Sequence, residues 1–193
     1  YLKDLGVTHI QLLPVMSYYY GDESKAGTLE ENWEAKGANY NWGYDPHSYF
    51  ALEGMYATNR TNGEARVKEF KELVKAIHDE GMAVTLDVVY NHTANETIFN
   101  NIYPGYYYRI SGKNAASGCG NDTASERAMF RKYMIDSVIY WAKEYHIDGF
   151  RYDLMGLHDI DTMNQIRSKL DEINPNILMY GEGWNLGNEV TLS

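Results

Sequence analysis

Two stretches of the sequence bring together residue types that can do chemistry at short range. Gly149-Phe150-Arg151-Tyr152-Asp153 reads as a strand, and alternate side chains of a strand share a face, so Arg151 and Asp153 project together. Tyr180-Gly181-Glu182-Gly183-Trp184 does the same for Tyr180, Glu182 and Trp184 where the chain stays extended. A guanidinium beside a carboxylate favours the charged form, which suits Asp153 to nucleophilic attack. Glu182, flanked by glycines and aromatic rings, is expected in a drier setting that leaves it protonated for acid work. Two carboxyls in opposite protonation states at one mouth are what glycoside hydrolysis requires. A strand-end Asp, Glu or Arg can equally make an ion pair or cap the next helix. Several charges gathered at one rim need a stronger reason than that.

The elements that must position these residues follow from hydrophobic patterning. Residues 1–5 read as the last turn of a helix closed by Gly6, and residues 8–13 as a short buried strand bounded by Gly6 and Pro14. Residues 17–63 show no sustained period and read as a long surface excursion. Val67, Phe70, Leu73, Val74 and Ile77 recur at helical spacing, which predicts an amphipathic helix over 64–80, followed by a buried strand over 82–89. Thr123-x-x-Glu126 matches a capping box opening a helix through His146, with Met134, Val138, Trp141 and Tyr145 on one face. A strand over 147–152 comes next. Asp161 is the expected cap of a third helix that ends at Asn174-Pro175, before a fourth strand over 177–180.

Four buried strands separated by helices imply right-handed crossovers into a parallel sheet. A doubly wound sheet and a β/α barrel both fit that pattern, and the distribution of polar residues separates them. Asp87, Asn91, His92, Arg151, Asp153 and Glu182 fall at the C-terminal ends of three successive strands, which is the habit of a barrel rim. The expectation is an α/β chain forming part of a TIM (β/α)8 barrel, with residues 1–193 one partial catalytic domain cut from a longer protein, since a whole barrel takes about 250 residues.

Composition removes several function classes. The 193 residues carry 17 Lys+Arg against 27 Asp+Glu, a formal charge of −10, which disfavours nucleic acid and anionic membrane surfaces. No run approaches the roughly 18 apolar residues of a membrane span. Neither a G-x-G-x-x-G nor a G-x-x-x-x-G-K-[ST] loop occurs, and His92, His158 and Asp159 lack metal-ligand spacing. Asparagines at 91–101 and 121–122 could lend oxygens to Ca²⁺, although the EF-hand pattern is absent. The single cysteine, Cys119, forms no intrachain disulfide. The 18 tyrosines, in runs such as 18–20 and 106–108, suit stacking on sugar rings as well as ordinary packing.

Four blocks carry a resemblance: Tyr40-Asn41-Trp42-Gly43-Tyr44-Asp45-Pro46; Asp87-Val88-Val89-Tyr90-Asn91-His92; Gly149-Phe150-Arg151-Tyr152-Asp153-Leu154-Met155-Gly156-Leu157-His158; and Tyr180-Gly181-Glu182-Gly183-Trp184. The last three resemble the first three conserved regions of the α-amylase superfamily, glycoside hydrolase family 13. The Asn-Trp-Gly-Tyr-Asp-Pro and Asp-Leu-Met-Gly forms resemble its type I pullulanase branch. The resemblance implies barrel strands 2 to 5 and cleavage of α-1,6-glucosidic linkages in pullulan, starch or glycogen-type α-glucans by retaining double displacement. It implies Asp153 as nucleophile, Glu182 as general acid/base and Arg151 as the group that orients and ionises Asp153. His92 would hydrogen-bond sugar hydroxyls, Tyr44 would stack under that sugar, and Asp45 joins the substrate-binding set through its block. Asp87 would brace the floor, and Trp184 and His158 would contact the leaving-group side. The resemblance requires no cofactor.

His158 stands five residues after Asp153, one further than the corresponding α-amylase histidine, which argues against plain amylase specificity. The superfamily's third catalytic carboxylate, an Asp in a His-Asp pair, has no counterpart in these residues, because His158-Asp159 follows the nucleophile too closely. The segment alone is therefore expected to be inactive. The rival readings are an isoamylase or amylase, and a barrel that has lost catalysis and binds glucan. The joint presence of Arg151, Asp153 and Glu182 speaks against the last.

Overall fold

A polar inner face and an apolar outer face define the sheet in the computed structural model, which describes residues 1–25, 39–109 and 116–184. Its strands are β1 (His9–Leu12), β2 (Ala83–Val88), β3 (Gly149–Tyr152) and β4 (Leu178–Gly181), all parallel and in spatial order β1-β2-β3-β4. Helix α1 (Gly63–Asp79) joins β1 to β2, the short α2 (Thr97–Asn100) and long α3 (Ala128–Glu144) lie between β2 and β3, and α4 (Ile160–Ile173) returns to β4. Register puts Gln11 beside Thr85, and Asp87 beside Arg151 and then Tyr180, so one face of the sheet collects polar side chains. The alternate residues Val84, Leu86, Val88, Phe150 and Tyr152 form the other face and are buried with Phe70, Met134, Trp141 and Leu170 from the helices.

The sheet curls strongly. Tyr180 on β4 donates its hydroxyl to Gln11 Oε1 on β1 at 2.6 Å. Three flat inter-strand steps would hold those strands roughly 14 Å apart. Curvature of this kind is that of a barrel wall, in keeping with the expected (β/α) architecture.

Element positions follow the sequence closely, and the caps depart from it. Asn62 caps α1 by accepting from the N–H groups of Glu64 and Ala65. At α3 the Thr123/Glu126 box does not form, because Thr123 Oγ1 donates to the Tyr90 carbonyl at 2.6 Å and Glu126 pairs with Arg109, leaving Arg127 as an N-cap without a side-chain bond. Asp159, not Asp161, caps α4, accepting from the Thr162 N–H at 2.9 Å, because the 3₁₀ turn Met155–Leu157 delivers Asp159 to that point first. The strands at the two sides also differ from expectation. β2 and β3 are buried as anticipated, whereas β1 and β4 are largely exposed or half-buried.

The stretch after Pro14 is not a loose surface excursion where it is described. Residues 39–57 lie against α3 through Tyr49, whose carbonyl accepts from Trp141 Nε1 at 2.9 Å and from Ser137 Oγ at 2.6 Å. The Tyr49 hydroxyl donates to the His92 carbonyl at 2.6 Å, which ties this segment to the end of β2 and brings Tyr44 to the rim.

Candidate active site

Arg151 is the centre of the site. Its Nη1 donates to Asp87 Oδ1 at 2.7 Å and to Asp153 Oδ1 at 3.0 Å, while Nη2 pairs with Glu182 Oε1. Register explains the first contact, since Asp87 and Arg151 are direct neighbours on β2 and β3. Period two explains the second, because Asp153 follows Arg151 on the same face. Three carboxylates thus share one guanidinium. Burial alone would lower the Arg151 pKa, but the hydrogen bond and charge of Asp87, with those of Asp153 and Glu182, outweigh it and push it up. Burial raises the Asp87 carboxyl, against the pull of Arg151 and of the Tyr44 hydroxyl, which donates to Asp87 Oδ2 at 2.8 Å. The same burial and contact push the Tyr44 phenol up, so Tyr44 remains a neutral donor.

Asp153 is held at both oxygens. Arg151 serves Oδ1, and Asn91 Nδ2 donates to Oδ2 at 2.9 Å and to the Asp153 carbonyl at 3.0 Å. Leu154 then turns the chain with a left-handed φ of 43° and gives its N–H to Glu182 Oε2 at 3.1 Å. The Glu182 N–H donates to the Tyr152 carbonyl at 3.1 Å, carrying the strand pairing one step past β4. Asp153 and Glu182 therefore reach the same side of the sheet through the two terminal nitrogens of one side chain. Glu182 is not in the dry aromatic setting expected. It faces a guanidinium and a backbone N–H, and it is partly exposed.

The remaining predicted residues divide. Trp184 is 62% exposed beside Glu182, with its ring open to solvent. Tyr44 keeps a partly exposed ring over Asp87. Asp45 serves the loop: its Oδ2 accepts from Asn41 Nδ2 at 2.7 Å, and Asn41 Oδ1 accepts from the Gly43 N–H at 2.7 Å. Gly43 is required in that turn, with φ +94° and Pro14 where its Cβ would stand. His92 is only 2% exposed, with Nδ1 against Asn91 Oδ1 at 2.6 Å and Nε2 against the Tyr44 carbonyl at 2.8 Å, so its ring fastens the Tyr44 loop and offers no free nitrogen to a sugar. Burial lowers its pKa.

His158 is a correction. The ring is 0% exposed and neither nitrogen has a partner among the described residues, so it does not reach the rim. The 3₁₀ turn after Asp153 swings it inward, and burial, with the nearby Arg109, pushes its pKa down to about 3. Of the residues named for Ca²⁺, Asn91, Asn95 and Asn100 direct their side-chain oxygens to His92, Thr97 and Gly105, and Asp122 accepts from Ser117. Among the described residues no group of three His, Cys, Asp or Glu side chains converges to hold a metal.

Asn91, which the sequence places at the rim without a task, is the residue that holds Asp153 from the end of β2. The signal for it was its place directly before His92 at the end of β2, facing the strand that carries Asp153.

Comparison with known proteins agrees with this geometry. The chain is 45% identical over 186 residues to pullulanase A of Streptococcus pneumoniae, covering 95% of this chain and 14% of that protein. It is 43% identical over 191 residues to a pullulanase of Bacillus subtilis, covering 96% of this chain and 25% of the relative. The chain thus spans a quarter or less of these relatives. Among solved structures, an Anoxybacillus pullulanase complexed with maltotetraose superposes with a TM-score of 0.87 at 46% identity, over 96% of this chain and 26% of the other. Residues 1–104 match the family described as alpha amylase, catalytic domain, so the strand-end carboxylates and their shared arginine belong to a member of the α-amylase catalytic-domain family.

Proposed function

We propose that residues 1–193 form part of the catalytic barrel of a debranching glycosidase that cleaves α-1,6-glucosidic linkages in pullulan-, starch- or glycogen-type α-glucans with retention of configuration. The observation that carries the reading is the single Arg151 guanidinium bound by both Asp153 and Glu182. Retaining enzymes need their two carboxyls close, about 5–5.5 Å apart, and inverting ones need room for a water between them. Two carboxylates one guanidinium apart suit the former. The α-1,6 specificity is supported by similarity to pullulanases along nearly the whole chain, including the Tyr44 loop.

Asp153, oriented by Arg151 and Asn91, attacks the anomeric carbon, while Glu182, taking up a proton once bound glucan separates it from Arg151, gives that proton to the departing glycosidic oxygen. The resulting glycosyl ester on Asp153 is hydrolysed by a water that returns its proton to Glu182. Asp87 holds Arg151 in place and stays unreactive, and Tyr44 and Trp184 present aromatic surface to the sugars on either side. No cofactor is needed for this chemistry.

The test is made on the full-length protein. Pullulan hydrolysis is expected to exceed amylose hydrolysis, with an α-configured product by NMR. Asp153→Asn is expected to lower kcat by at least about 10³-fold, some 4 kcal/mol of barrier, with glucan binding retained. Unchanged turnover rejects the nucleophile. Binding without hydrolysis in the unaltered protein favours a glucan-binding module, and a preference for amylose rejects the linkage specificity.

A further inference from the structure

The turn that follows the nucleophile and the segment that carries Glu182 meet backbone to backbone, with glycine on each side of the contact. The Gly156 N–H donates to the Glu182 carbonyl at 3.0 Å, and a Cβ on Gly156 would overlap the Trp184 carbonyl oxygen. Across the same seam a Cβ on Gly181 would overlap the Tyr152 carbonyl and stand 2.7 Å from Met155 Cβ. Gly156 does not need a positive φ, so its own backbone tolerates alanine, and only the neighbouring segment objects. The seam fixes the Glu182 main chain on both sides, through the Gly156 N–H at its carbonyl and the Tyr152 carbonyl at its N–H.

We propose that Gly156 is a positioning residue for Glu182: by donating its N–H and leaving room for the Trp184 carbonyl, it sets the height of the Glu182 carboxyl above Asp153. This rests on the reading of Glu182 as acid/base. A displaced acid fails most where the leaving group most needs a proton. Scission of a sugar–sugar bond needs one, whereas fluoride leaves as an anion without it.

Gly156→Ala in the full-length protein is expected to lower kcat/KM on pullulan about 100-fold and on α-maltosyl fluoride by less than about fivefold. The melting midpoint and a Gly63→Ala control, where a Cβ meets nothing within 4 Å, report on folding. A second variant replaces Gly156 by glycolic acid, which deletes the N–H without adding a side chain. Its expected loss on pullulan is about fivefold, with the fluoride unaffected. Equal losses on both substrates, or none on either, overturn the proposal. Glu182→Gln is run alongside: if it too shows no dependence on leaving group, the assignment of Glu182 has failed, whereas selectivity in Glu182→Gln alone rejects only the role of Gly156.

Discussion

Within these 193 residues β2 and β3 each lie between two strands, while β1 and β4 are the edges of the sheet and stand open. Leu86 and Phe150 are fully buried, whereas Leu178 on β4 is exposed and β1 alternates exposed with half-buried residues. Each inner strand has a neighbour on both sides, with helices packed on its apolar face. The proposed catalytic groups are divided along the same line. Asp87, Arg151 and Asp153 rise from the buried pair, and Glu182 leaves the open β4. Asp153, the proposed nucleophile, is held by Arg151 and Asn91. Among the described residues Glu182 is held by Arg151, the Leu154 N–H and the backbone seam.

The contrast is sharpened most by truncating the middle of the sheet. Phe150→Ala, a cavity beneath Arg151, is expected to cost about 3–5 kcal/mol in urea unfolding. Loss of both Asn91 hydrogen bonds to Asp153 comes next. Bonds to a charged group are worth about 1.5–3 kcal/mol, so Asn91→Ala should lower kcat/KM of the full-length protein by roughly 10–100-fold, with stability changed less. A loss confined to stability would mean that the inner strands alone position the nucleophile.

His158 gives the inner region a pH signature. Its unfolded ring takes up a proton below pH 6.5, and the folded ring refuses it until about pH 3, so the unfolded state binds more protons in that window and stability falls as pH drops through it. The slope is about 1.4 kcal/mol per pH unit, or roughly 2 kcal/mol of the change between pH 7 and pH 5 from this one group. His158→Leu is expected to remove that share, and urea midpoints at the two pH values measure it. The smallest effect belongs to the outer strand: Leu178→Ala in the 193-residue chain should change stability by less than about 0.5 kcal/mol. A cost near that of Phe150→Ala would abolish the contrast.

Helix α1 was legible to within a residue at each end, because the apolar period of Val67, Phe70, Leu73, Val74 and Ile77 runs unbroken to the glycine at 81. Caps were less so. Thr123-x-x-Glu126 is a sound local signal that lost to stronger distant partners, the Tyr90 carbonyl and Arg109. Asp159 and Asp161 are equally good caps on paper, and the 3₁₀ turn before them chose between them. Arg151 with Asp153 was readable from period two alone, since neither residue depends on anything beyond its own strand for facing the same way.

Residue order along each strand, the alternation of faces and the chemical types at the strand ends are local properties, and the sequence by itself determined them. Only the tertiary structure decided that Glu182 would meet a guanidinium and not a dry aromatic wall, that His92 would spend both nitrogens on the protein, and that His158 would turn inward. Those outcomes depend on strand register and on loops crossing tens of residues of chain, and a side chain's neighbours at such separations are set by packing.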